Sequence, residues 1–381
     1  MLKCQKDLFS LKPNITYLNC AYKGPLLKKS EEKIFEAIEN ERNPFKLKAP
    51  NYFQISNEIR REYSTIINSQ PEEIAIQPST SYGFANVFNN IITNAGNAVT
   101  IENEFPSGHF ALEKWCANNK VSLNIIKREK LKAKDWNQKI IDSINHETKV
   151  VLLSSIHWMS GTKFDLYKIG QKCKEVKAYF IVDGTQSVGA SKINVKELNI
   201  DAMICAGYKW LFGPYSMALG YFSEKFHNGT PIEESWMNRT NAEDFSNLTD
   251  YDPNYKTMAG RYNVGETTNF LLSPIMLAGL KQINNWGISN IEDYCSALAE
   301  ILVNELKPIG ILFEDEDYFK PHLFSLGLPE KVDLLKFKEK LESNNIYVSL
   351  RGKNIRVSIN VFNNEKEIGS LVSLVKKSLN I

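Results

Sequence analysis

Seven short apolar runs recur between residues 74 and 222, most of them separated by enough chain for a helix. They are Ile74–Ile76, Ala98–Ile101, Leu123–Ile126, Val150–Leu153, Phe180–Val182, Ala202–Cys205 and Ala218–Phe222. Strands alternating with helices in this way predict an α/β fold with a mainly parallel seven-stranded sheet and helices on both faces. Before it, residues 15–25 read as a short strand entering the Gly24-Pro25 turn, and a charged helical stretch extends to residue 69. After it, residues 223–270 are irregular and polar, and a long helical run is predicted over 274–306. The tail alternates on a smaller scale, with strands at Leu323–Leu326, Tyr347–Leu350 and Ile355–Ser358 and a closing helix over 364–379. A chain of 381 residues, 43% apolar, can bury a large core. The expected organisation is an N-terminal segment over 1–30 packed on the small domain and the active site, a large domain over 31–272, and a small α/β domain over 273–381.

Composition excludes several classes. A formal net charge of +2 with interspersed acids and bases argues against a nucleic-acid partner. The six cysteines are Cys4, Cys20, Cys116, Cys173, Cys205 and Cys295. Their scatter points to a reducing compartment and away from a disulfide framework or a metal site. The first residues, Met1 to Asp7, form no apolar leader, and no run approaches membrane-spanning length. A soluble cytoplasmic protein with no membrane partner is expected.

The run Phe180-Ile181-Val182 stops on Asp183 and turns at Gly184. In a parallel sheet that carboxylate lies at the carboxyl edge, where open α/β folds bind ligands. The next strand leads into Gly207-Tyr208-Lys209-Trp210-Leu211-Phe212. An aromatic, dry setting lowers an ammonium pKa and frees the amine as a nucleophile. A strand-end Asp and a strand-end Lys are what a pyridoxal phosphate (PLP) enzyme needs, the lysine to form a Schiff base and the aspartate to keep the pyridine nitrogen protonated.

Other motifs are weaker singly. Thr80 and Ser81 open a helix after a strand, as an anion cradle does, although Ser79-Thr80-Ser81 also serves as an ordinary helix cap. Pro106 fixes an extended Phe105, whose ring could face a planar cofactor or simply pack. His157 reads as structural, and Trp158 as pocket wall or packing. Gly265-Glu266-Thr267-Thr268 is a second phosphate turn or a helix cap. Arg356, among β-formers, is a carboxylate clamp or an edge-strand arginine in water.

Their joint order resembles the class V aminotransferase family of fold-type I PLP-dependent enzymes, which includes cysteine desulfurases, isopenicillin-N-epimerase-like proteins and kynureninases. The resemblance runs from Tyr17-Leu18-Asn19 to Phe362-Asn363 and is densest at Asp183–Gly189, Gly207–Pro214, Val264–Phe270, Leu350–Gly352 and Ile355–Ser358. It implies pyridoxal 5'-phosphate as cofactor, a small-molecule amino-acid substrate, and a homodimer with the active site at the interface. By position it makes Lys209 the Schiff-base lysine and Asp183 the pyridine partner. Gln186 stands near the ring hydroxyl, and Phe105 takes the stacking place. Thr80, Ser81 and Tyr208 are implied to hold the phosphate, with Thr267 and Thr268 reaching it from the neighbouring subunit. Arg356 holds the substrate carboxylate, with Asn19 nearby and Trp158 in the substrate pocket.

Departures narrow the family. Ala206 stands where many members carry a serine that contacts the phosphate. No cysteine lies beyond Cys295, so the nucleophilic loop cysteine of desulfurases is missing from 343–354 and that activity is disfavoured. Gln186 and Gly108 stand where kynureninases typically carry His and Asp. The expected activity is amino transfer, with a lyase or epimerase as the alternative. A non-catalytic PLP-fold protein is disfavoured by the intact Asp183, Lys209 and Arg356. The substrate side chain has no readable code in the sequence.

Overall fold

The computed structural model describes residues 2–130 and 132–380. Met1, Leu131 and Ile381, one in each of the three expected segments, lie outside the described residues. The chain opens with β1 (Thr16–Tyr17), α1 (Lys28–Glu41) and α2 (Asn51–Ile67). The alternating region follows as β2 (Ile74–Gln77), α3 (Thr80–Asn89), β3 (Asn97–Ile101), α4 (Pro106–Asn119), β4 (Ser122–Ile126), α5 (Ala133–Asp142), β5 (Thr148–Ser154), α6 (Leu166–Val176), β6 (Tyr179–Asp183), β7 (Ala202–Ala206) and β8 (Ala218–Phe222).

These seven strands form one sheet in the order β2-β8-β7-β6-β5-β3-β4. β8 runs antiparallel to both neighbours, and every other pairing is parallel. Strands β2, β6, β7 and β8 are buried at almost every residue, as expected of apolar runs covered on both faces. Because β8 reverses direction between β7 and β2, the carboxyl end of β2 lies at the same edge as those of β3, β5, β6 and β7. The order also reverses between β3 and β5, since β4 adds on one side and β5 on the other. Such a switch point opens a crevice at the carboxyl edge.

The predicted helical run after 273 is two helices, α7 (Ser273–Trp286) and α8 (Ile288–Leu306). Gly287 adopts φ +78° between them, a conformation that ends α7 cleanly because glycine has no Cβ. The tail holds β9 (Leu323–Leu326), α9 (Leu334–Ser343), β10 (Ile346–Tyr347), β11 (Ser349–Arg351), β12 (Asn354–Ser358) and α10 (Glu365–Ser378). The single strand expected at 347–350 is thus split at Val348. β12 is the centre of an antiparallel β11-β12-β9 sheet. The N-terminal β1 pairs in parallel with β10, and Asn19 bridges to Ser358. One apolar cluster links Phe9 and Leu18 with Trp210, Leu280, Leu302, Ile355 and Leu371.

Candidate active site

The β7 strand ends at Ala206, and the chain turns through Gly207 and Tyr208 to Lys209. The Gly207 carbonyl accepts from Gly213 N–H at 2.9 Å, which closes the loop behind the lysine. Lys209 is 6% exposed. Its Nζ lies 5.5 Å from the Phe105 ring centroid and 5.7 Å from that of Tyr208. Burial pulls its pKa down to about 8 against the opposing attraction of Asp183, with Arg356 and Arg351 adding to the lowering. The dry aromatic setting read from the sequence is therefore present.

Asp183 ends β6 level with Ser154 at the end of β5. Its Oδ1 accepts the Thr185 N–H at 2.9 Å, and it forms no ion pair among the described residues. Burial raises its pKa, while Thr185 and Lys209 oppose the rise. Gln186 takes the Trp210 indole N–H on Oε1 at 2.9 Å and donates to the Ala21 carbonyl at 3.1 Å.

Thr80, Phe105, Trp158, Asp183, Gln186, Tyr208 and Lys209 line a single pocket with Ser154, Thr185 and Ala206. Seven residues expected from sequence thus meet at the carboxyl edge. Thr80 begins α3, capped by Ser79, whose hydroxyl accepts from Tyr82 N–H. The first N–H groups of a helix have no intrahelical partner and carry the positive end of its dipole. Ser81, beside Thr80 in the first turn of α3, is exposed, and its hydroxyl donates to Ser107 Oγ at 3.1 Å. Thr267 and Thr268, expected to act on the neighbouring subunit, stand outside the Lys209 pocket of their own chain. Their hydroxyls donate to the Val264 and Tyr52 carbonyls.

Phe105 precedes Pro106 at the start of α4 and meets Trp158 edge-on, with ring centroids 5.6 Å apart. The Trp158 indole N–H donates to the Asn103 carbonyl at 2.8 Å, which sets its plane. His157 is structural: its ring nitrogens lie against Ser160 Oγ and the Asn103 carbonyl, and burial pulls its pKa down to about 4.

Arg356 is 1% exposed at the centre of the small sheet, so the edge-strand alternative fails. Its Nη1 donates to the Trp158 carbonyl at 2.7 Å. Its Nε and Nη2 are buried with no hydrogen-bond partner among the described residues. An orphaned buried guanidinium is costly unless an anion completes it. Asn19 accepts from Ser349 Oγ at 2.7 Å, and Ser349 pairs with Arg356 across the hairpin. Asn19 thus stands beside the arginine through Ser349.

Sequence reasoning passed over Ser154, Thr185, Glu104 and Gly24. The Glu104 carboxylate accepts the Ser154 and Phe105 N–H groups, each at 2.6 Å, and the Ser154 hydroxyl. It ties β3 to β5 across the switch point, and burial pushes its pKa up to about 7. A Cβ on Gly24 would stand 2.2 Å from the Lys209 carbonyl oxygen. The Gly-Pro turn was legible, but its target was not. Among the described residues no group of His, Cys, Asp and Glu is placed to hold a metal, and no helix is long and apolar enough to cross a membrane.

The family profile described as Aminotransferase class-V matches residues 41–372. The chain belongs to the class-V aminotransferase family. An uncharacterized aminotransferase of Schizosaccharomyces pombe is 25% identical over 98% of this chain and 94% of its own length. A kynureninase of Geobacillus thermodenitrificans is 21% identical over 98% of this chain and 90% of its own. A complex of the cystine C-S lyase C-DES with cysteine persulfide superposes with a TM-score of 0.85 at 20% identity, covering 95% of this chain and 97% of that one. An apo cysteine desulfurase from Thermococcus onnurineus gives a TM-score of 0.79 at 17% identity, covering 100% and 99%. The α/β fold is accordingly that of fold-type I, and the family is PLP-dependent. The residues fit that cofactor: a buried amine of lowered pKa, a buried strand-end carboxylate without an ion pair, a stacking ring, and a helix start at Thr80.

Proposed function

We propose that this class-V family member acts on the α-carbon of an amino acid, and that its reaction is amino transfer. The observation that carries the reading is the buried Lys209 amine beside Asp183 in one pocket, with Arg356, whose Nε and Nη2 have no hydrogen-bond partner among the described residues, held on the carbonyl of the pocket residue Trp158. PLP, when bound, supplies an electron sink for a carbanion at the substrate α-carbon. Lys209 is the residue that would hold the cofactor covalently and then move a proton at that carbon. Asp183 would keep the pyridine nitrogen protonated, which its acceptor-only carboxylate does without an ion pair to displace. Phe105 would cover one ring face, Gln186 would stand near the ring hydroxyl, and Thr80 with Tyr208 would meet the phosphate. Arg356 would take the substrate carboxylate on the two nitrogens that have no other partner, beside Trp158. Phe105 and Trp158, both on the wall of the Lys209 pocket, would limit the access of water to the lysine.

The aminotransferase name of one relative favours amino transfer, and the kynureninase and lyase names of others motivate the second reading, a lyase or epimerase. Desulfuration has no support from a thiol: Cys20, at the rear of the lysine loop, is buried and its pKa is pushed up to about 12. A homodimer in which Thr267 and Thr268 serve the second copy, a cytoplasmic location consistent with six free cysteines, and the 1–30, 31–272 and 273–381 division complete the proposal.

The test is a half-reaction. Holoprotein mixed with an amino-acid panel should release one equivalent of keto acid per site and stop until an acceptor keto acid is added. Continuous release of ammonia without any acceptor would replace amino transfer by the lyase reading.

A further inference from the structure

Two arginines, not one, stand beside Trp158, a wall residue of the Lys209 pocket. Arg356 pairs with Ser349, and Arg351 lies two residues further along the same strand. Residues two apart on a strand share a face, so both arginines stand on one face of the hairpin as diagonal neighbours. Both also converge on Trp158. Arg356 donates to its carbonyl, and the Arg351 guanidinium carbon lies 5.4 Å from its ring centroid.

Arg351 donates from Nη1 to the Leu350 carbonyl at 2.7 Å, but its Nε is buried without a hydrogen-bond partner among the described residues. Neither arginine forms an ion pair among the described residues; burial lowers the pKa of both, and Arg351 lowers that of Arg356 further. Burial and Arg351 together pull the Arg356 pKa down to about 9. Lys209 adds a third cationic group, and Asp183 is the acid that faces it. An α-carboxylate on Arg356 balances one guanidinium and leaves the other uncompensated. A second, open cavity of about 520 Å³ is lined by Asn103, His157, Met159, Arg351, Lys353 and Asn354, the neighbours of Trp158 in sequence among them, and is large enough for a side chain. Of the acids on that cavity, Glu314 is paired with Arg128 at 3.0 Å, Glu102 accepts the Arg128 N–H, and Glu129 is exposed.

We propose that Arg351 is a specificity-determining residue that binds a second carboxylate, on the side chain, so that the substrate is an acidic, dicarboxylic amino acid. The inference rests on the α-carbon reading given above. A planar fork stacked on an aromatic face is suited to bidentate carboxylate recognition in a way that a lysine at the same place is not.

The test has a binding arm and a reaction arm, both on holoprotein. In the first, succinate and glutarate are compared with butyrate by displacement or thermal shift, in wild type, Arg351→Gln and Arg351→Lys. Wild type should bind the diacids at least about tenfold more tightly, and Arg351→Gln should erase that preference. In the second, L-aspartate and L-glutamate are compared with L-alanine. Arg351→Gln should lower kcat/KM for the acidic substrates by at least about 30-fold, the low end for removing one partner of a desolvated charge pair. The loss on L-alanine should be at least tenfold smaller. Equal loss on every substrate would mean that both arginines serve the α-carboxylate, and would overturn the proposal. A wild type that does not favour diacids would overturn it too. If no amino acid changes the visible spectrum, the α-carbon reading fails, while the diacid titration still decides the role of Arg351.

Discussion

The proposed reactivity of Lys209 rests on what surrounds its amine. Phe105 and Tyr208 rings cover it, burial lowers its pKa to about 8, and Asp183 limits the fall. Only the neutral amine attacks a carbonyl, and the folded pKa lies below the ordinary lysine value. The rate of PLP uptake by apoprotein should therefore climb through about pH 8 and level off above it. A rate that is flat there and climbs only near pH 10, as for a lysine in water, would contradict the burial argument. Arg356 works differently, through donors left empty. Arg356→Ala should weaken every amino-acid substrate by at least about 30-fold in kcat/KM, since the carboxylate loses a desolvated partner. Unchanged kcat/KM would remove Arg356 from the site.

The elements deliver these side chains through strand ends and tight approaches. Four parallel strand ends and the start of α3 meet at one edge, and the turn at Gly24 presses on the Lys209 carbonyl. Because a Cβ there would meet backbone, Gly24→Ala should destabilise the protein by about 1–3 kcal/mol and lower its PLP occupancy; thermal melts and the bound-cofactor ratio measure both. The strands were legible because each is an apolar run, too short for a helix, between polar segments. Lys209, Asp183 and Phe105 were legible because each follows such a run. What escaped detection depends on contacts distant in sequence. Glu104 is one carboxylate among many until β3 lies beside β5, and Gly24 is an ordinary turn glycine until the lysine loop packs on it. The break at Gly287 was missed because apolar periodicity continues through it from α7 into α8.

On the scale of the whole molecule, the proposed site draws on both ends of the chain as well as its middle. The large sheet supplies Lys209 and Asp183. The tail sheet brings Arg356, and residues 16–18 join β10 so that Asn19 bridges to Ser358 beside it. One apolar cluster spans both sheets, so the lysine and the arginine are held by a shared core. The central claim is that this crevice carries PLP on Lys209. Absorbance of the purified protein after PLP addition and borohydride reduction tests it most directly, followed by mass mapping of the labelled peptide. The account predicts a visible absorption band, a covalent label confined to Lys209 in wild type, and no label in Lys209→Ala. A wild type that stays colourless with saturating PLP, or a label on another lysine, would contradict it.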